Sequence, residues 1–358
     1  MILPFSRHYP ADAVERAVPD AASARAQVAV RAPALLDALE ARRRQLTGLA
    51  SGSDDALLDR CAAAVTLAYA RLALRHGSWG TDFHAYHNEQ HVLEIFAARI
   101  GRLIDAAGIA ALGFRDWLQL GLFAACHDLR QRELPCHYAG VGANERASSE
   151  EAVRILDACG FDRVRDADFY LGIELAIAGS TFDARQPQTE QDDFNSAQIL
   201  HSGGALAAKL AQKLDKHVPR WQSDARLVHA HALALIAADL DTANVADPFT
   251  GFVETGIALC LEREMRCRRS PDDPDAAGPV LGFLTDGQER FFFELHRFNS
   301  ALGRHAFGAA KEANAGRLRA LTAVLRETIA ADGGPRNGSE VIGTLRRLAA
   351  ELTRESGA

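Results

Sequence analysis

Apolar residues recur three and four positions apart along most of this chain. The spacing is clear in RCAAAVTLAYARLAL (60–74), EEAVRILDACG (150–160) and RLRALTAVLRETIAA (317–331), which are rich in Ala, Leu, Arg and Glu. This spacing gives an α-helix one apolar face, and these residue types favour helix formation. Runs with strict alternation and β-branched residues are nearly absent. The pattern therefore predicts an all-α fold.

Loop-forming residues interrupt the helical pattern in five places. Gly, Pro, Ser and Asp concentrate at 76–83, 140–144, 201–205, 268–279 and 332–339, and such clusters mark turns between helices. We expect three parts: a peripheral helical segment at 1–55, one helical body at 56–330, and a C-terminal helix at 331–358. The last helix is amphipathic and suits packing or contact with a second copy in a homodimer.

Composition and charge narrow the class of protein. Lys plus Arg number 40 and Asp plus Glu 47, so the 358-residue chain has a formal net charge of −7. This balance argues against a broad nucleic-acid-binding face and favours a small-molecule ligand. No window approaches the ~18 consecutive apolar residues of a membrane helix, and Pro4 and Arg7 interrupt the apolar start before a signal core forms. The six cysteines contain no CxxC pair, so we expect reduced thiols in a cytoplasmic protein.

Two carboxylates follow apolar runs. In WLQLGLFAACHDLRQRE (117–133), His127 and Asp128 end one such run, and in HALALIAADLDTANV (231–245) Asp239 ends another. An ionised carboxylate in an apolar interior costs several kcal/mol unless it is paired or bound to a cation. Asp239 taken alone is better explained as a helix-end residue that meets water. Asp128, beside a histidine, calls for a compensating partner.

Two histidines lie four residues apart in AYHNEQHVLEIF (85–96). On a helix His87 and His91 would share one face, about 6 Å apart, and address a common point. A metal site or a proton-transfer pair has this arrangement, although an HxxxH pair alone also fits a surface helix. Combined with His127, Asp128 and Asp239, the pair favours a divalent metal site, since imidazole and carboxylate suit a borderline ion.

Three short motifs in order carry a family resemblance. YHNEQH (86–91), HD (127–128) and AADL (237–240) resemble the metal-dependent HD-domain phosphohydrolases, in the branch similar to class I cyclic-nucleotide phosphodiesterases. The resemblance spans roughly residues 60–300 and implies an HD/PDEase-like helical bundle around a metal site. It implies a tightly held Zn, Fe or Mn ion and a second Mg or Mn ion reached by Asp128. The implied ligands of the tight ion are His91, His127, Asp128 and Asp239, and His87 is the implied general acid.

Two further residues follow from the same resemblance. Glu145, in GANERASSEEAVRIL (142–156), is implied to hold water on the second ion, and it fits equally well as an acidic residue in a helix first turn. The family's purine-reading glutamine should lie near GPVLGFLTDGQERFFFELHRF (278–298), where matching on GFL places Val280 and the nearest glutamine is Gln288. Gln288 is therefore the candidate substrate-binding residue. His137 is a candidate supporting residue after the HD motif.

These features lead to an enzyme of the phosphoric ester hydrolase class. The resemblance implies hydrolysis of a nucleotide-like phosphodiester, cyclic nucleotides included, by a metal-bound hydroxide with a histidine general acid. An HD-type phosphomonoesterase or 5′-nucleotidase is the alternative within the enzymes, because the same ligands serve both reactions. A nucleotide-binding regulator without turnover is the alternative outside them. A di-iron oxygenase is more distant, since it requires further histidine ligands.

Overall fold

The computed structural model describes residues 3, 8–50, 54–133, 142–183 and 204–355. The described chain is helical, which confirms the all-α class predicted from the apolar spacing. The sixteen α-helices of the described ranges are α1 (Ala13–Ala17), α2 (Ala21–Arg31), α3 (Pro33–Leu46), α4 (Asp55–Arg75), α5 (Glu89–Leu93), α6 (Ile100–Ala107), α7 (Phe114–Cys126), α8 (Ala143–Ala158), α9 (Ala167–Ser180), α10 (Leu210–His217), α11 (Ala225–Asp241), α12 (Phe249–Arg266), α13 (Ala277–Gly282), α14 (Gln288–Arg290), α15 (Ala301–Ala331) and α16 (Gly338–Glu355).

Other backbone forms link these helices. Three π-helical segments span Glu94–Arg99, Phe283–Gly287 and Phe291–Leu295. Five 3₁₀ turns span Ile109–Ala111, Leu206–Lys209, Trp221–Ser223, Ala243–Ala246 and Pro274–Ala276. The strands β1 (Phe182–Asp183) and β2 (Gly204–Ala205) pair antiparallel, with Phe182 opposite Ala205 and Asp183 opposite Gly204. Among the helices of the described ranges, none is both long enough and apolar enough to cross a bilayer.

The chain divides into two compact units. Unit 1 comprises residues 1–241 and 299–306, and unit 2 comprises residues 242–298 and 307–358. The division into 1–55, 56–330 and 331–358 stays a prediction. In unit 1, α9 packs against α11, and Gly179 lies close to Ala234 at their contact. Both helices are apolar on most sides, as expected of helices buried by their neighbours.

The N-terminal helices belong to the packed body of unit 1. Arg75 donates to Asp12 at 2.9 Å and to Glu151 at 3.2 and 2.9 Å. Arg71 donates to Glu15 at 3.3 Å and to Glu151 at 3.5 Å. Glu151 is fully buried, and a buried charge of this kind is tolerated only with several partners. This network joins α1 to α4 and α8, although the segment was expected to be peripheral.

In unit 2, α16 packs against both α12 and α13. Phe292 is buried with its ring 5.6 Å from that of Phe252, so the phenylalanine-rich stretch contributes to the core. The Asn314 amide donates to the carbonyls of Val245 and Asp247 at 3.0 and 2.9 Å. These bonds attach α15 to the segment that precedes α12.

Candidate metal centre

The helix α7 delivers His127 and Asp128 at its C-terminal end. Its side chains from Trp117 to Cys126 are buried, and His127 is the C-cap residue of the helix. The His127 Nδ1 lies 3.2 Å from the carbonyl oxygen of Phe123 and 3.3 Å from that of Ala124. Since a carbonyl oxygen only accepts, Nδ1 carries a proton. The lone pair of a neutral His127 is therefore at Nε2, as in a metal ligand.

The second histidine, His91, lies in the short helix α5. Asn88 is the N-cap of this helix; its side chain accepts from the Gln90 N–H at 2.8 Å, and its amide donates to the His84 carbonyl at 2.6 Å. Glu89 accepts from the Ser78 N–H and hydroxyl at 3.0 and 2.5 Å. A Cβ on Gly77 would lie 1.7 Å from the Glu89 carboxylate, so only glycine fits at that approach. These contacts fix the turn that presents His91.

Two histidines and two aspartates lie together in unit 1, where each carboxylate approaches both imidazoles. His127 Nε2 lies 2.9 Å from Asp128 Oδ2 and 3.3 Å from Asp241 Oδ1. His91 Nε2 lies 3.2 Å from Asp241 Oδ1 and 3.7 Å from Asp128 Oδ2. Both histidine side chains are almost wholly buried, and the side chains of Asp128 and Asp241 are 14% and 16% exposed. We call this set, His91, His127, Asp128 and Asp241, the H2D2 cluster.

The spacing of the H2D2 cluster fits a divalent ion. Two ligands at about 2.1 Å from one ion stand about 3.0 Å apart at a right angle and about 3.4 Å apart at a tetrahedral angle. The four carboxylate-to-histidine separations, 2.9 to 3.7 Å, bracket these values. Within the described residues, His127 Nε2 and Asp128 Oδ2 are buried and make no hydrogen bond. Buried polar atoms without such partners are uncommon, and a bound ion would satisfy both.

Electrostatics also favour a cation in the H2D2 cluster. Burial lowers the pKa of His91 to about 4. Burial also acts to lower the pKa of His127, but the charges of Asp128 and Asp241 outweigh it and raise that pKa well above its usual range. Burial opposes ionisation of Asp128, yet the charge of His127 brings its pKa to about 2, and the pKa of Asp241 is lowered for the same reason. One imidazolium supplies a single positive charge to two carboxylates. A divalent ion supplies two.

Asp239 does not join the H2D2 cluster, contrary to the role implied by the AADL motif. Its oxygens accept from the Asn299 backbone N–H and side-chain amide at 2.6 and 3.1 Å, and from the Ser300 N–H and hydroxyl at 2.8 and 2.7 Å. A Cβ on Gly303 would lie 2.2 Å from Asp239 Oδ2. Asp239 thus anchors the start of α15 within unit 1. Asp241, two residues later, takes the position expected of the ligand.

His87 lies beside the cluster but outside α5. It precedes the N-cap Asn88, so the His87–His91 pair spans the helix start and does not share a helix face. The two ring centroids are 6.3 Å apart with planes at 80°, and Tyr86 lies 4.9 Å from the ring of His87 and 4.3 Å from that of His91. The charge of His87 contributes to the lowered pKa of Asp128. His87 is half-buried, whereas His91 is buried.

A chain of amides supports Asp128. Gln131 Nε2 donates to Asp128 Oδ1 at 3.0 Å, and Gln131 Oε1 accepts from Asn144 Nδ2 at 3.0 Å. Asn144 Oδ1 in turn accepts from the Glu133 N–H at 2.9 Å. Asn144 lies inside the first turn of α8, whose N-cap is Gly142, at φ 85. Asn144 instead orients Gln131, which leaves Asp128 Oδ2 for the cluster.

Three other residues were expected at the site from the sequence, namely Glu145, Gln288 and His137. Glu145 lies in the first turn of α8, one residue after Asn144, and its role with a second ion stays a prediction. Gln288 lies in unit 2, buried, with its amide against Gly256 of α12, and its role in substrate binding stays a prediction. His137 lies outside the described residues.

A second group with metal-ligand chemistry comprises His76, Asp82 and His84. Asp82 Oδ2 lies 3.4 Å from His76 Nδ1 and 3.4 Å from His84 Nε2. His76 Nε2 accepts the Gln131 N–H at 3.1 Å, so a neutral His76 carries its proton on Nδ1, facing Asp82. This tautomer leaves Nδ1 no lone pair for an ion. The group is therefore better explained as a charge contact between Asp82 and the two imidazoles, and Arg132 also donates to Asp82 at 2.8 Å.

Sequence reasoning missed Asp241 and Gln131. Asp241 carries the same chemistry as Asp239 and lies two residues further along α11, about 200° around the helix. Only one of the two can face the histidines, and the motif match selected the other. Gln131 lies three residues after Asp128, a spacing that allows a side-chain contact at the end of a helix.

Comparison of the chain with protein-family models, with curated proteins and with solved structures gave no match.

Proposed function

We propose that this protein is a metal-dependent phosphoester hydrolase whose H2D2 cluster holds a divalent cation and whose substrate is a nucleotide-like phosphodiester. The approach of two carboxylates to both histidine nitrogens, at 2.9 to 3.7 Å in a largely buried site, supports the proposal most strongly. The YHN, HD and ADL resemblance supplies the reaction class. A divalent ion in such a site lowers the pKa of bound water and neutralises charge on phosphoryl oxygens.

The chain's own residues hold and orient the site. The carbonyl of Phe123 fixes the tautomer of His127, so that Nε2 is presented to the ion. Gln131 takes one oxygen of Asp128 and thereby turns the other toward the cluster. Arg99 donates to the backbone carbonyls of Leu240 and Asp241 and so fixes the end of α11. Such outer contacts set ligand geometry and commonly change metal affinity about 10- to 100-fold.

His87 is the proposed proton donor to the leaving oxygen. It is half-buried, so a substrate can reach it, and its ring centroid is 6.3 Å from that of the ligand His91. Its ring meets Tyr86 edge-on at 4.9 Å. Its charge is among those that lower the pKa of Asp128. A well-placed general acid contributes about 10² to 10⁴ in rate.

Hydrolysis assays test the proposal. The purified chain is supplied with Mn²⁺ or Mg²⁺ and given bis(p-nitrophenyl) phosphate, p-nitrophenyl phosphate, cyclic AMP, cyclic GMP and 5′-mononucleotides. We expect turnover of diesters, loss of turnover with EDTA, and loss in the variant His87→Gln. The matched control is His229→Gln, because His229 is an exposed histidine that pairs with Asp116 away from the cluster.

The set of substrates that are hydrolysed distinguishes the proposed diesterase from a phosphomonoesterase and from a regulator without turnover. Preference for p-nitrophenyl phosphate and 5′-mononucleotides would show that the protein is a phosphomonoesterase and not a diesterase. Tight binding of a nucleotide by the metal-loaded chain without turnover of any substrate would overturn the enzymatic proposal and favour a regulator.

A further inference from the structure

Lysine is scarce in this chain. Its 40 basic residues comprise 36 arginines and four lysines, namely Lys209, Lys213, Lys216 and Lys311. Three of them lie close together in the sequence, and Lys311 stands apart on α15, in unit 2. A desolvated amine can lose its proton near neutral pH, whereas a guanidinium cannot. The surroundings of Lys311 therefore decide whether it is a surface charge or a nucleophile.

The amine of Lys311 is held by one residue, His296. Its Nζ donates to the His296 carbonyl oxygen at 3.0 Å and lies 3.1 Å from His296 Nδ1. The ring of Phe292 lies beside it, with Nζ 5.0 Å from the ring centroid. His296 and Phe292 are buried, whereas Lys311 is half-buried. The position of the amine is thus fixed on a side chain that solvent still reaches.

None of these contacts supplies a negative charge. Burial lowers the pKa of His296 to about 3, so its ring is neutral at pH 7 and Nδ1 can accept an N–H from Lys311. Among the described residues no carboxylate lies within 4.0 Å of the Lys311 amine, and no acidic side chain contributes to the shift of its pKa. A half-buried ammonium in these surroundings lacks the partner that would stabilise its charge.

The neutral amine fits this setting better than the ammonium does. Burial lowers the pKa of Lys311 to about 8 from 10.5, and the charge of Arg297 acts in the same direction. Roughly one Lys311 amine in ten is then neutral at pH 7, against fewer than about one in a thousand for an ordinary lysine. The neutral amine has two N–H groups for the two acceptors of His296, and its lone pair stays available. Desolvation and a neighbouring cation are two ways in which a lysine becomes a nucleophile.

We propose that Lys311 is a nucleophilic amine and the preferred site at which small acyl phosphates acylate this chain. The nitrogen attacks the carbonyl carbon, a C–N bond forms, and the bond from that carbon to the phosphate oxygen breaks. Phosphate leaves with the electron pair, and the amine proton passes to it or to water. The product is a neutral amide, which needs no counter-charge beside His296.

The exposed Arg297 determines the class of acyl donor. Its charge attracts an anionic reagent and stabilises the departing phosphate. Lys311 and Arg297 belong to unit 2, whereas the H2D2 cluster belongs to unit 1. The proposal therefore does not depend on the proposed hydrolase function.

Acetylation of the full chain with limiting acetyl phosphate, followed by proteolysis and mass spectrometry of the four lysines, tests the proposal. We expect Lys311 to be acetylated at least about tenfold faster than Lys209 and Lys216 at pH 7. Its rate should rise with pH and level off above about pH 8 as the amine loses its proton. Lys311→Arg keeps N–H donors at this position and should abolish the fast reaction, while the other lysines react as in the wild type.

Two arginine variants separate activation of the amine from its exposure. Arg297→Gln removes a charge that lowers the pKa of Lys311, so the pH profile should move upward and acetylation at pH 7 should slow. The reaction with acetyl phosphate should slow more than that with the uncharged donor p-nitrophenyl acetate. The matched control is Arg336→Gln, because Arg336 is exposed and pairs with Glu340; it should leave both reactions unchanged.

Two results would overturn the proposal of an activated amine. One is acetylation of Lys311 no faster than that of Lys209 and Lys216, and the other is a rate that still rises steeply near pH 10, as for an ordinary lysine. Equal slowing of both donors in Arg297→Gln would overturn the assignment of acyl phosphates as the donor class.

Discussion

Substitutions of the two aspartates at the end of α11 should affect different properties, one of them metal binding and the other stability. Asp241 Oδ1 lies 3.2 and 3.3 Å from the histidine nitrogens of the H2D2 cluster, whereas Asp239 accepts four hydrogen bonds from Asn299 and Ser300. We therefore expect Asp241→Asn to lose the ion and keep the fold. Asp239→Asn should keep the ion and lose stability.

The magnitudes follow from the contacts. Asp241→Asn keeps the size of the side chain but removes one of two ligand charges, so the affinity should fall more than the roughly 10- to 100-fold of an outer contact. In Asp239→Asn one oxygen becomes an amide NH₂, which cannot accept from the Ser300 N–H and hydroxyl. Each hydrogen bond to a charged group is worth about 1.5–3 kcal/mol, so two cost about 3–6 kcal/mol.

Competition with a chromophoric chelator measures the Zn²⁺ affinity, and differential scanning calorimetry in EDTA measures stability. For a unit of this size each kcal/mol shifts the midpoint by about 2–4 °C. Asp239→Asn should therefore unfold at least about 6 °C below the wild type. Metal loss in Asp239→Asn together with wild-type affinity in Asp241→Asn would refute the assignment of Asp241.

Three further outcomes are expected. His87→Gln should reduce turnover about 10²- to 10⁴-fold while plasma emission spectrometry finds the wild-type metal content; unchanged turnover would remove His87 from the reaction. Gln131→Ala should weaken metal binding about 10- to 100-fold, measured by the same chelator competition, and an unaltered affinity would show that Asp128 needs no support. Burial opposes ionisation of Asp12, but Arg75 outweighs it and lowers its pKa to about 2 from 3.8, so its stabilisation is complete above pH 3.8 and is lost as the pH falls toward 2. Asp12→Asn should thus cost about 1–2 kcal/mol in urea unfolding at pH 7, and the difference from the wild type should shrink below pH 4; a constant difference would contradict this.

The helices were the feature most easily predicted from the sequence. Apolar spacing predicts each helix locally, and the all-α class is confirmed. The position of His127 and Asp128 after a buried run was also local information, and the structure brings both together with His91. The HD/PDEase-like arrangement itself stays a prediction.

Contacts between residues that are distant in the sequence could not be predicted from it. Asp239 and Asp241 differ in role because Asn299 and Ser300, about sixty residues later, take up Asp239. No local pattern carries that information. The N-terminal segment likewise joins the body through Asp12 and Glu15, whose arginine partners lie beyond residue 70.

The helix cap at Asn88 explains why His87 and His91 do not share a helix face as expected. His87 and His91 have helical spacing, yet Asn88 begins the helix between them. An Asn followed by Glu89 is a helix-start signal that could have been recognised from sequence alone. The two rings nevertheless lie near each other, and Tyr86 contacts both.

The central claim is that His91, His127, Asp128 and Asp241 hold one divalent ion. Metal analysis of protein purified without chelator, combined with X-ray absorption at the edge of the bound metal, tests it directly. We expect a retained ion whose shell contains two imidazoles, and loss of that ion in both His91→Ala and His127→Ala. An ion retained in both variants, or a folded wild-type chain that binds neither Zn²⁺ nor Mn²⁺, would contradict the claim.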